Sequence, residues 1–132
     1  IDAVAKGGYI LSDCQGTPAL ILIGTGSELS LCVEAAKVLA SEGVAVRVVS
    51  MPCVELFEVQ DAAYRASVLP PTVRKRISVE AGSTMGWHQY VGFDGTTIGI
   101  DHFGASAPGN ICMEKFGFTV DNVLKKARAL LS

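Results

Sequence analysis

Ala19-Leu20-Ile21-Leu22-Ile23 is continuously apolar, and Gly24-Thr25-Gly26-Ser27-Glu28 follows it directly. An apolar run of this length, stopped by glycine, suits a central strand covered on both faces. Beyond the glycines the period changes. Leu29, Cys32, Val33, Ala36 and Leu39-Ala40 recur at steps of three and four, which predicts a helix. Gly43 fits a left-handed cap that stops it, and 44–49 reads as the next strand. This is a β-α-β unit, so the two strands should be parallel with a right-handed crossover.

Working outward toward the amino end, Tyr9-Ile10-Leu11 reads as a short strand suited to a sheet edge, ended by Ser12-Asp13. Residues 13–18 form a turn. Only this turn separates the first strand from 19–23, so the pair resembles a hairpin and should make one strand antiparallel. Residues 1–7 show no period and precede Gly7-Gly8; they read as a linker remnant, with 8–132 as one domain. Ile1 is not a natural start, which suggests a piece of a longer protein.

Toward the carboxyl end, Pro52 breaks the chain, and 54–59 and 61–69 read as helices ending before Pro70-Pro71. A third core strand spans 76–80, with Ile77 and Val79 alternating with polar neighbours. Further elements are a helix over 85–91, a strand over 96–100, a short helix over 110–116 and a last helix capped by Thr119. The buried stripe of that last helix is Val120, Val123, Leu124, Ala127 and Leu130-Leu131. Strands alternating with helices give a three-layer α/β/α domain with a mostly parallel, mixed sheet of about five strands.

The 132 residues fit one domain, and 49% hydrophobic with 18% charged residues is a globular composition. A net charge of −2 supplies no field that would favour nucleic acid or an anionic membrane. No apolar run reaches the roughly 20 residues of a membrane helix. Cys14, Cys32, Cys53 and Cys112 form no C-x-x-C pair, and their spacing from His88 and His102 does not suit zinc. Free thiols in a reducing cytosol or stroma are expected.

The loop Gly24, Thr25, Gly26 and Ser27 admits two readings. It could seat an anion, since helix-start N–H groups carry partial positive charge. It could equally be a tight turn with an N-cap, in which Thr25-x-x-Glu28 fits a capping box and Ser27 is the alternative cap. No Gly-Lys-Ser/Thr follows, and Leu29 occupies the last position of a G-x-G-x-x-G. The structural turn is the better account. His88, His102 and the aromatics Trp87, Tyr90, Phe93, Phe103, Phe116 and Phe118 are expected mainly in loops, core or an interface. Glu80 ends a parallel-type strand, where ligands of open α/β sheets bind, but is expected rather to partner a helix dipole or a turn, and Arg74-Lys75-Arg76 to be a solvated face rather than a phosphate clamp. The residues alone reach an α/β domain with a candidate anion loop and no reaction.

Several stretches, taken in order, resemble the end of transketolases. They are Gly24-Thr25-Gly26-Ser27-Glu28, Arg47-Val48-Val49-Ser50-Met51-Pro52, and the run from Gln60-Asp61-Ala62-Ala63-Tyr64 to Leu69-Pro70. Then come Ser78-Val79-Glu80-Ala81-Gly82, Gly86-Trp87-His88-Gln89-Tyr90-Val91-Gly92, Asp101-His102-Phe103-Gly104-Ala105-Ser106-Ala107-Pro108 and Phe116-Gly117-Phe118-Thr119-Val120-Asp121-Asn122-Val123. They cover nearly the whole chain and most resemble cyanobacterial and plastid-type members. The resemblance implies the C-terminal domain of a thiamine-diphosphate enzyme of the pentose phosphate pathway and Calvin cycle. Such an enzyme moves a two-carbon ketol unit from a ketose phosphate to an aldose phosphate. It also implies a divalent metal, magnesium or calcium, on the cofactor diphosphate. In this family the N-terminal and middle domains bind that group and the sugar phosphates, and the active sites form in a homodimer. The implied location is cytoplasmic, or alternatively the plastid stroma. No catalytic, cofactor-binding or metal residue of the family maps onto this chain, and Glu80 is not the family's cofactor-activating glutamate. The implied role is structural, in domain packing and dimerisation; the alternative is a regulatory anion- or nucleotide-binding module built on Gly24–Ser27.

Overall fold

The computed structural model describes residues 6–80, 88–92, 94–98 and 119–132. Among these, five strands form one sheet in the order β1-β3-β2-β4-β5. The strands are β1 (Tyr9–Ser12), β2 (Leu20–Gly24), β3 (Val46–Ser50), β4 (Arg76–Val79) and β5 (Thr96–Ile98). The helices are α1 (Leu29–Ser41), α2 (Val54–Glu58), α3 (Ala62–Val68), α4 (His88–Val91) and α5 (Val120–Leu131).

β2 is the central strand, as its unbroken apolar run requires, and all five of its residues are buried. It pairs in parallel with β3 on one side, from Leu20↔Val46 to Gly24↔Ser50. It pairs in parallel with β4 on the other, from Ile21↔Arg76 to Gly24↔Val79. β5 continues the parallel set beside β4.

The alternation of the strand splits the core into two. Leu20 and Leu22 face α1 and α5, where Cys32, Ala35, Leu39, Val123 and Ala127 meet Val48, Ile77 and Val79. Ile21 and Ile23 face the other layer, with Phe57 of α2, Val68 of α3 and Tyr90 of α4. Removing this apolar surface from water is the main stabilising force, about 25 cal/mol per Å². The result is the expected α/β/α sandwich.

One pairing differs from expectation. β1 is antiparallel and lies at an edge, but its partner is β3, in the register Tyr9↔Ser50 and Ile10↔Val49. The short 13–18 turn reverses the chain as a hairpin would, yet β3 is inserted between β1 and β2. Both edges of β2 are taken by parallel neighbours, so β1 takes the remaining edge of β3. Asp13, just past β1, seals this arrangement by accepting from Arg47 of β3 at 2.9 Å.

The helix boundaries follow local chemistry. Gly43 has φ +87, so it is the left-handed stop that ends the α1 segment. The Asp61 side chain accepts from the Tyr64 amide and caps α3. The Thr119 hydroxyl accepts from the Asn122 amide and caps α5, as expected. The start of the 85–91 helix, the end of the 96–100 strand and the whole 110–116 helix lie outside the described residues, as do residues 1–5 of the expected linker.

Candidate functional site

In open α/β sheets a ligand site forms outside the carboxyl ends of the strands, where the strand order reverses. Here the chain steps from β2 to β3 on one side and then to β4 on the other, so the reversal lies between β2 and β4. The residues at those two strand ends are the Gly24–Ser27 loop and Glu80. Both stand out in the sequence as well.

The structure brings them together. The Thr25 hydroxyl donates to Glu80 Oε2 across the reversal point. The Glu80 amide in turn donates to the Ile98 carbonyl at 3.0 Å, joining the strand end to β5. The Gly24 carbonyl accepts the Met51 amide at 3.0 Å, and the Thr25 carbonyl accepts the Glu28 amide at 3.1 Å. The loop therefore ties β2 to β3, to β4 and to its own helix.

The capping box is not formed. Thr25 precedes a 3-10 turn, Gly26–Glu28, with no side-chain cap bond, and Glu28 leads into α1 likewise without one. The Thr25 hydroxyl spends its proton on the Glu80 carboxylate, and its oxygen accepts no N–H of the helix start. The Ser27 backbone lies within the 3-10 turn; its side chain is outside the described residues.

The two loop glycines have different reasons. Gly26 has φ +53, a left-handed angle that a side chain resists. Gly24 is needed for space: a Cβ there would lie 3.0 Å from Leu29 Cα and 3.0 Å from Cys32 Sγ. Electrostatics oppose an anion at this point. No lysine or arginine occurs in 24–28, Glu28 is buried behind the loop, and Glu80 sits in front of it. Burial and then the Glu28 charge push the Cys32 thiol up to about 12, so this cysteine is an inert apolar filler of the core.

Other expected features fall elsewhere. Of the basic run, Arg74 pairs with Asp94 at 2.7 Å on the surface, and Lys75 is exposed. Arg76 departs from the expectation of a solvated face. Its guanidinium donates to the carbonyls of Val73, Leu69, Pro70 and Tyr90, the last at 2.6 Å. Burial lowers its pKa. It is a brace that satisfies the carbonyls ending α3 and α4. Tyr90 is core, edge-on to Phe57, and its hydroxyl donates to Glu58. Burial first, then that bond, raises its pKa. α4 opens at His88, whose side chain is outside the described residues. So are all of His102, Cys112 and the remaining aromatics named above. Cys14, Cys32 and Cys53 are free thiols.

Sequence reasoning missed Arg47. It is 9% exposed and donates to both oxygens of Asp13 and to the carbonyls of Ser67 and Val68. The signal was available: an arginine inside an apolar strand must find partners when both faces are covered.

A cavity of about 670 Å³ opens at the opposite, amino-terminal edge of the sheet, between Ala19, Lys75 and Leu131. It does not communicate with the Gly24 loop through any shared lining residue. Among the described residues no three His, Cys, Asp or Glu side chains converge as metal ligands.

Comparison with known proteins places the chain. Residues 7–119 match the family described as the transketolase-like TK C-terminal domain. A transketolase of Nostoc sp. is 65% identical over 131 residues, covering 99% of this chain and 20% of that protein. Transketolase 2 of Aliivibrio fischeri is 56% identical over 129 residues, covering 98% of this chain and 20% of that protein. Among solved structures, a transketolase from Leishmania mexicana superposes with a TM-score of 0.89 at 43% identity, over 98% of this chain and 18% of that one. The chain thus spans about a fifth of the length of the relatives it matches. It belongs to the transketolase-like C-terminal domain family.

Proposed function

We propose that this chain is the architectural C-terminal domain of a thiamine-diphosphate-dependent transketolase, and that it carries no catalytic, cofactor-binding or metal-binding residue of its own. The enzyme moves a two-carbon ketol unit between sugar phosphates in the cytoplasm or stroma. Thiamine diphosphate, its magnesium or calcium and the sugar phosphates are held by N-terminal and middle domains of a homodimer. This domain packs on them and supports dimerisation. One observation carries the reading for the domain itself: the sheet's reversal point, where a ligand would sit, is spanned by the Thr25–Glu80 hydrogen bond. The Gly24–Ser27 loop is accordingly a structural turn first, and an anion site at best at millimolar phosphate.

The test is a chimera in which this chain replaces the matching last fifth of the Nostoc enzyme. It should be dimeric and transfer ketol units at a rate near the parent's, whereas the chain alone should transfer none. A chimera that folds but stays monomeric or inactive contradicts the packing role. Ketol transfer by the chain alone contradicts the assignment of chemistry to the other domains.

A further inference from the structure

Lys6, Gly7 and Gly8 run along the start of α2, and several contacts hold them there. The Gly7 carbonyl accepts the Cys53 amide at 2.9 Å. The Gly8 carbonyl accepts the Tyr64 hydroxyl at 2.6 Å. The Lys6 ammonium lies 4.4 Å above the centroid of the Tyr64 ring, a cation–π distance. Both glycines are buried. A Cβ on Gly7 would lie 2.3 Å from the Cys53 carbonyl oxygen and 2.4 Å from the Phe57 nitrogen. One on Gly8 would lie 2.5 Å from Met51 Sδ. Gly7 also has φ +82, so neither its angle nor its surroundings admit a side chain.

Tyr64 is itself held in place. Its amide donates to Asp61 at 2.8 Å in the α3 cap. Its ring packs edge-on against Phe57, centroids 6.2 Å apart. The phenol that reaches Gly8 is thus fixed from both ends, and burial raises its pKa, keeping it a neutral donor at ordinary pH.

A Gly-Gly pair at a domain's entry ordinarily makes a flexible joint. Here it does the opposite, because missing side chains let the backbone lie against α2 closely enough to be hydrogen-bonded twice. We infer that Lys6, Gly7, Gly8, Cys53 and Tyr64 form a clamp that fixes the backbone at residues 6–8 against α2 and α3, so that the glycine pair is a docked segment and not a hinge. The inference rests on these contacts alone and stands apart from the enzyme reading.

The Lys6–Gly7 bond is a trypsin site, and its cleavage requires the clamp to open. In this chain it should be cut at least about tenfold more slowly than in a free peptide of residues 1–12, since opening must break two hydrogen bonds. Tyr64→Phe keeps the ring and removes only the donor to Gly8. It should speed scission after Lys6 by roughly three- to tenfold, the worth of one hydrogen bond, with the circular dichroism spectrum unchanged. Gly7→Ala should speed it further. Scission in the parent at the rate of the free peptide, or a Tyr64→Phe variant cut no faster than the parent, overturns the clamp.

Discussion

Thr25 illustrates how one side chain decides the character of a motif. A hydroxyl at the head of a glycine-rich turn can cap a helix, line an anion site or brace another strand. Its partner, Glu80, lies 55 residues away, and local spacing carries no information about such a contact. The glycines, the turn and Glu80's place at a strand end were therefore legible in the sequence, while the bond joining them was not. Thr25→Val removes a hydrogen bond to a charged acceptor and should cost about 2 kcal/mol. Gly26→Ala places a side chain at φ +53 and should cost about 1 kcal/mol. Either loss lowers Tm by a few degrees in a domain of this size. Millimolar phosphate should move Tm little in the parent or in either variant. Strong stabilisation of the parent by sub-millimolar phosphate, abolished in Gly26→Ala, would restore the anion-site reading.

At the scale of elements, periodicity located strands and helices well where one rule dominated. The continuous run 19–23 became the central strand β2, and the three-and-four stepping of 29–40 became α1. Pairing was harder to read. β1 looked like half of a hairpin because the turn after it is short, yet sheet order is decided by which edges remain open after the parallel crossovers form. β1 is held to β3 by its backbone ladder, and the Asp13–Arg47 bond pins the turn that follows. Burial alone would raise the Asp13 pKa, but hydrogen bonds from Arg47 and the Cys14 amide, with the Arg47 charge, outweigh it and leave the carboxyl below its usual range. A carboxylate whose folded pKa is depressed contributes stability that is full above its unfolded value of about 3.9 and is lost as pH falls through the folded one. Arg47→Met removes the Arg47 donor from Asp13, which keeps the Cys14 amide, and from the two carbonyls of Ser67 and Val68, and should cost about 2 kcal/mol at pH 7. Urea unfolding at stepped pH should show that the gap between parent and variant narrows below about pH 4. A gap that is constant from pH 7 to pH 3 contradicts the role given to this pair.

At the scale of the whole molecule, alternating strands and helices sufficed for the α/β/α architecture, but a fold of this class hosts many functions. Neither composition nor spacing pointed to a reaction. The family was legible only through ordered stretches of sequence spread over the whole chain. Among the described residues, Arg47, Arg76, Gly24 and Tyr64 serve internal braces and close approaches. On the proposed reading, this domain shapes the assembly and leaves the cofactor to the other domains. Calorimetric titration of thiamine diphosphate with magnesium into the chain tests it most directly. The account predicts no heat beyond dilution at micromolar concentrations; saturable one-to-one binding in that range would contradict it.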